Sequence, residues 1–264
     1  MNQLSRSGIV LFFFLILSAA SQVMAIPAPV RELYEIRIYH IQSIDQEKQI
    51  DYYLQNALIP ALHNHGIKKI GVFKPLTNDT AKNKKVFVLI PFRSPADILR
   101  INEKLSKDSK YLGQAKEYMD AAHNSPPYAR FESILLQAFT DMPQLRSPQL
   151  TTDKKDRIYE LRSYEGATEK LSRNKIDMFN KGGEIKLFER LGFNAIFYGE
   201  VLFGSQRPNL MYMTSFENMS SRNEHWNTFR VDPEWKNLSS MEIYKNNVLR
   251  GDTYLMQATE YSDL

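Results

Sequence analysis

The stretch RIYELRSYEG, residues 157–166, decides the fold, because RELYEIRIYHI at residues 31–41 is nearly the same string. Each carries Tyr-Glu-aliphatic-Arg followed by a second tyrosine two residues on. Tyr34, Glu35, Arg37 and Tyr39 stand in one copy; Tyr159, Glu160, Arg162 and Tyr164 stand in the other. The correspondence continues along the chain. HGIKKIGVF (65–73) answers LGFNAIFYG (191–199), VFVLIPF (86–92) answers LMYMTSF (210–216), and ILLQA (134–138) answers YLMQA (254–258). Ordered matches, each displaced by 120 to 126 positions, mean one structural unit built twice. The units span 31–140 and 157–264. Between them 141–156, rich in Pro, Thr and charge, reads as a linker.

Each unit reads in the same order. Residues 34–40 alternate and are rich in Tyr and Ile, which predicts a strand, while Ile50, Tyr53, Leu54, Leu58 and Leu62 recur at helical spacing over 45–65. Gly66 and Gly192 end their helices at a position that suits a residue tolerant of positive φ. Two apolar strands follow, KKIGVFKP and KVFVLIPF. Ser94-Pro95, with Asp97 in the first turn, opens a second helix. A strand over 130–139 completes the order βαββαβ. The fold class is therefore α+β, with two tandem ferredoxin-like units. Such a unit carries both helices on one face of an antiparallel sheet and leaves the other face bare. Two units in one chain cover each other, giving a pseudo-dimeric α/β barrel with helices outside.

Composition narrows the function classes. The 264 residues are 43% hydrophobic and 24% charged, proportions of a globular protein. At the start, Arg6 precedes the apolar run IVLFFFLIL (9–17), and Val23 and Ala25 stand at the small-residue positions of a cleavage site. Residues 1–25 thus read as a signal peptide, and the protein as exported, periplasmic or secreted after cleavage near Ala25; an uncleaved anchor is the alternative. No other run approaches spanning length, so no membrane contact is expected of the mature form. Cysteine is absent, which excludes thiol nucleophiles, thiolate metal sites and disulfides. The charge of +4 is dispersed, and the KNKK run at 82–85 has no interleaved aromatics, so nucleic acid is not an expected partner. The histidines form no metal-ligand spacing, and no metal is expected. Nucleophile elbows and phosphate loops are also missing.

IYELRSYE at the head of the second unit, Gly199-Glu200, and then Trp226, Phe229 and Asp232-Pro233-Glu234-Trp235 resemble the NIPSNAP family of the dimeric α/β-barrel superfamily. The likeness is good over about 157–261 and looser in the first unit. There His40 stands for Glu165, Asn102 for Trp226 and Tyr111 for Trp235. The resemblance implies a barrel more than a chemistry. Superfamily barrels include cofactor-independent oxygenases, haem-handling enzymes and small-ligand binders, and fold analogy does not choose among them.

Strand alternation puts Glu160, Arg162 and Tyr164 on one face and Tyr159, Leu161 and Ser163 on the other. With the aliphatic set expected beneath the helices, Glu160, Arg162 and Tyr164, together with Glu35, Arg37 and Tyr39, are expected to face the space between the two sheets. Two roles fit them. They could form buried ion pairs that fix how the sheets meet, or the polar end of an apolar cavity, with arginine holding an acidic or carbonyl group and Tyr164 stacking on the ligand. His225, beside Trp226, is the candidate haem ligand or general base, against the alternative of a satisfied helical histidine. Three functions stay open. They are an exported module binding a small apolar or aromatic molecule between its sheets, a cofactor-independent or haem-linked monooxygenase-type enzyme, and a non-catalytic structural or interaction module. No cofactor is assigned, and further pairing of the pseudo-dimer into a homo-oligomer is left open.

Overall fold

The computed structural model describes residues 29–78 and 80–264; the expected signal peptide lies outside the described residues. The first half runs β1 (Leu33–Ile41), α1 (Ile44–Tyr53), a π-helical turn (Leu54–Leu58), α2 (Ile59–Asn64), β2 (Gly71–Pro75), β3 (Lys84–Phe92), α3 (Pro95–Leu105), α4 (Ser109–Gln114), α5 (Lys116–Met119) and β4 (Arg130–Ala138). The second runs β5 (Ile158–Glu165), α6 (Glu169–Phe179), α7 (Glu184–Arg190), β6 (Asn194–Phe203), β7 (Asn209–Phe216), α8 (Met219–Val231), α9 (Pro233–Ser240) and β8 (Arg250–Ala258). Helix starts follow local chemistry. The Ser43 and Thr168 hydroxyls accept from the amides of Gln46 and Leu171, satisfying donors that the first turn leaves free. Gly66 and Gly192 close their helices at φ of 84° and 77°.

The strands form a closed barrel in the order β1-β3-β2-β8-β5-β7-β6-β4. Within each half the order is that of a ferredoxin-like sheet, and the seams β2–β8 and β4–β6 join the halves, with Phe73 opposite Ala258 and Ala138 opposite Gly199. Closure leaves none of these eight strands at a free sheet edge. Gly199 allows close approach at its seam, since a Cβ there would lie 3.1 Å from Leu136 Cβ and Leu136 would have to give by a few tenths of an ångström.

Tyr34, Ile36, Phe73, Phe87, Leu89, Leu136, Tyr159, Leu161, Phe197, Met213 and Met256 fill the barrel interior. Across the seams Tyr34 packs on Phe197 at 5.2 Å and Phe73 on Tyr159 at 4.8 Å, each pair joining one half to the other. Leu145 from the linker and Leu264 at the chain end join the same cluster. Separate apolar clusters lie beneath the helices of each half.

Two expectations need correction. Alternation along β1 and β5 has the predicted parity but the opposite sense. The barrel interior takes Tyr34, Ile36, Tyr159 and Leu161, while Glu35, Arg37, Tyr39, Glu160, Arg162 and Tyr164 lie on the helix side. The space between the sheets is also packed with aromatic and methionine side chains, where a ligand cavity was expected. The physical reason is common to both. A closed barrel offers a charge neither water nor a helix side chain, whereas the helix side supplies donors and opens to solvent along one edge.

The halves also differ where their first helix turns. In the first, α1 passes through the π-helical turn into α2 without interruption. In the second, the chain breaks between α6 and α7 at Gly182 and Gly183, the latter at φ 86°. Across this break Lys175 Nζ meets Glu184 Oε2 at 2.7 Å, both side chains buried. Positions 50 and 59, at the same register of the first half, are buried isoleucines.

Candidate functional site

β5 carries the site. Its residue Glu160 is fully buried, yet its carboxylate accepts four bonds: from Arg162 Nε at 2.6 Å, from Arg222 Nε at 2.7 Å and Nη2 at 3.1 Å, and from Trp226 Nε1 at 2.8 Å. Arg222 and Trp226 stand four apart on α8, hence on one face of that helix, and both reach down to the same carboxylate. The Arg162 guanidinium lies 3.8 Å from the centre of a Trp226 ring, a cation–π stack that fixes its plane. Its Nη1 donates to the Tyr164 hydroxyl at 3.0 Å, which in turn meets the Tyr212 hydroxyl at 3.0 Å.

The electrostatics follow from this geometry. Burial alone would raise the Glu160 pKa, but the Arg222 and Arg162 guanidiniums and the Trp226 N–H outweigh it and hold the carboxyl below its usual range. Burial pushes the Tyr212 phenol well up, so it stays protonated and can donate. One carboxylate between two guanidiniums leaves a net charge of one positive. Both arginine side chains are 20% exposed. The opening is set by register: Arg162 pairs with Tyr212 on β7 and Thr253 on β8, and on β8 both Gly251 and Thr253 are exposed. The helices therefore cover β5 and β7 and stop short of β8.

The first half has a reduced version. Arg37 Nη2 meets Glu35 Oε2 at 2.9 Å, and the Ser133 hydroxyl donates to Glu35 Oε1 at 2.8 Å. At the positions of Arg222 and Trp226 stand Ile98 and Asn102, so this pair has no second guanidinium and no indole. Tyr39 is buried among Tyr128 and Phe131.

His225 is held by its own helix. Its Nδ1 lies 2.7 Å from the Ser221 carbonyl, to which it donates, and the ring packs edge-on against Phe193 at 5.4 Å and Phe216 at 5.6 Å. No hydrogen bond among the described residues joins it to Glu160, Arg162 or Arg222. Its Nδ1 is thus satisfied within its own helix, as in a structural helical histidine.

Sequence reasoning thus found Glu160, Arg162 and Tyr164, which the structure brings together, and missed Arg222 and Tyr212. The Arg222/Trp226 spacing of four was the available signal for the first. Tyr212 needed the strand register.

Residues 159–263 match the family model described as NIPSNAP. No curated protein matches the chain. Among solved structures, a candidate monooxygenase from Lactobacillus acidophilus NCFM superposes with a TM-score of 0.57 at 11% identity, over 86% of this chain and 94% of the other. A candidate monooxygenase from Fusobacterium nucleatum gives 0.56 at 8% identity, over 87% and 93%. An anthrone oxidase-like protein gives 0.51 at 12% identity, over 89% and 94%. At these identities the likeness is one of fold.

Proposed function

We propose, for a chain whose residues 159–263 form a NIPSNAP-family domain, that the second half binds a small aromatic acid at the open edge between α8 and β8. The observation that carries this is the charge count at Glu160: one fully buried carboxylate against two guanidiniums, each one-fifth exposed. The cluster is internally complete as regards Glu160, so the residual positive charge is available to an anion. A carboxylate suits the planar guanidinium fork. An aromatic ring suits the arginine face opposite Trp226, and the half-buried Tyr164 hydroxyl, backed by that of the buried Tyr212, adds a polar partner. The shared barrel assigns no reaction. Export is part of the proposal and is supported by Arg6, the apolar run at 9–17 and the Val23/Ala25 spacing; it predicts a mature N-terminus at Ile26.

The test is titration calorimetry of the purified chain with benzoate. Binding is expected, with affinity falling about tenfold or more in Arg222→Met. That variant keeps side-chain bulk and leaves Glu160 its Arg162 and Trp226 partners. Quenching of tryptophan emission should accompany binding. Failure of benzoate, phenylacetate and salicylate alike to bind, with the protein folded, rejects the proposal.

A further inference from the structure

Around Arg37 the first half departs from the second in a consistent direction. The Arg37 Nε is buried and has no hydrogen-bond partner among the described residues. The guanidinium lies beside the phenols of Tyr39 and Tyr53. Tyr53 stacks on Tyr118 with ring centres 3.7 Å apart and planes within 5°, and its hydroxyl meets that of Tyr111 at 3.0 Å. Tyr39 contacts Tyr128 at 5.8 Å and Phe131 at 5.1 Å. At the positions of Tyr53 and Tyr111 the second half has Met178 and Trp235. The π-helical turn begins one residue after Tyr53, and such turns recur where a helix re-aims side chains at a functional site.

Charge separates the two settings. Glu35 faces a single guanidinium, so the pair is neutral, and its second oxygen is occupied by the Ser133 hydroxyl. An anion brought here would meet Glu35 without a second arginine to offset it. A buried N–H without an acceptor is costly, on the order of 1–3 kcal/mol, and a ligand oxygen placed on it recovers that cost. The way in matches that of the second half: Ser133, opposite Arg37 on β4, is exposed, as is Phe131 two residues before it.

We infer that the first half holds a second binding site, for a flat, uncharged aromatic molecule bearing a carbonyl oxygen that accepts from Arg37 Nε between the tyrosine walls. The inference rests on the proposal above only in treating the open sheet–helix edge as a ligand site. The two halves then have sites of opposite charge preference, one for an acid and one for a neutral ketone.

The experiment uses the full chain, with 9-fluorenone as the uncharged ketone, fluorene as the same skeleton without oxygen, and benzoate as the acid. Fluorenone is expected to bind, fluorene to bind about tenfold more weakly or worse, and benzoate not to compete with fluorenone. Two variants address Arg37. The pair Glu35→Leu with Arg37→Met removes the ion pair without leaving one charge behind. Ser133→Phe, at an exposed position, fills the entrance and is read if the pair variant fails to fold. Each is expected to weaken fluorenone about tenfold or more while benzoate affinity stays within about twofold. The inference is overturned if fluorene binds as tightly as fluorenone, if the folded variants leave fluorenone unaffected, or if fluorenone binding is lost instead in Arg222→Met. Loss of benzoate binding alone rejects the proposal for the second half and leaves this one standing.

Discussion

At the scale of single residues, this chain holds key carboxylates by surrounding them with donors. Glu160 does so beneath α8. Glu217, after β7, does so at the surface, where it fastens the linker: it accepts from the Thr152 hydroxyl at 2.5 Å and from the Thr151 and Thr152 amides at 2.9 Å each. The Thr152 hydroxyl, then the two backbone N–H groups, lower its pKa from 4.5 to about 2. The folded-state value is depressed, so its contribution to stability is full above the unfolded value near 4.5 and is lost as pH falls towards 2. Glu217→Gln is therefore expected to flatten the acid limb of the stability profile between those values while changing little in shape above it. Urea unfolding of both proteins across that range measures it, and parallel acid limbs would refute the assignment.

At the scale of elements, the break between α6 and α7 sets a comparison within one chain. Lys175 and Glu184 form a buried ion pair where the first half has Ile50 and Ile59, and Lys175 is further caged by Phe179 at 4.6 Å and Trp235 at 5.7 Å. Breaking such a pair strands a charge, whereas replacing both partners by apolar residues removes the desolvation cost of both. Lys175→Ile alone is expected to destabilise by about 3–5 kcal/mol. Lys175→Ile with Glu184→Ile should return to within about 1 kcal/mol of the parent or exceed it. Chemical denaturation of these two variants and of Glu184→Ile alone supplies the cycle; additive single effects would show that the pair is not coupled.

At the scale of the molecule, the barrel belongs to neither half alone. The Tyr34–Phe197 and Phe73–Tyr159 contacts each need one residue from each half, and the interior cluster draws on strands of both. A chain limited to residues 157–264 would expose Tyr159, Leu161, Met211, Met213 and Met256 to water, a patch large enough to drive association. It is expected to sediment as a homodimer or larger species, and to return to a one-to-one complex when mixed with residues 29–156. A stable monomeric half would contradict the account of the barrel as mutual cover.

The βαββαβ order of each half and the pairing of bare sheet faces were legible because periodicity and glycine stops act over a few residues, and two sheets that each leave an apolar face uncovered have one economical solution. The Glu-Arg-Tyr triplet of β5 was legible for the same reason: a period of two fixes which side chains travel together. Which way that set points is not a local property. It depends on whether the other side is a sealed interior or a helix-covered layer with an open edge, and only the closed barrel decides that. Arg222 and Tyr212 likewise join Glu160 and Arg162 through helix docking and strand register, which relate residues tens of positions apart and leave no mark on the sequence near either one.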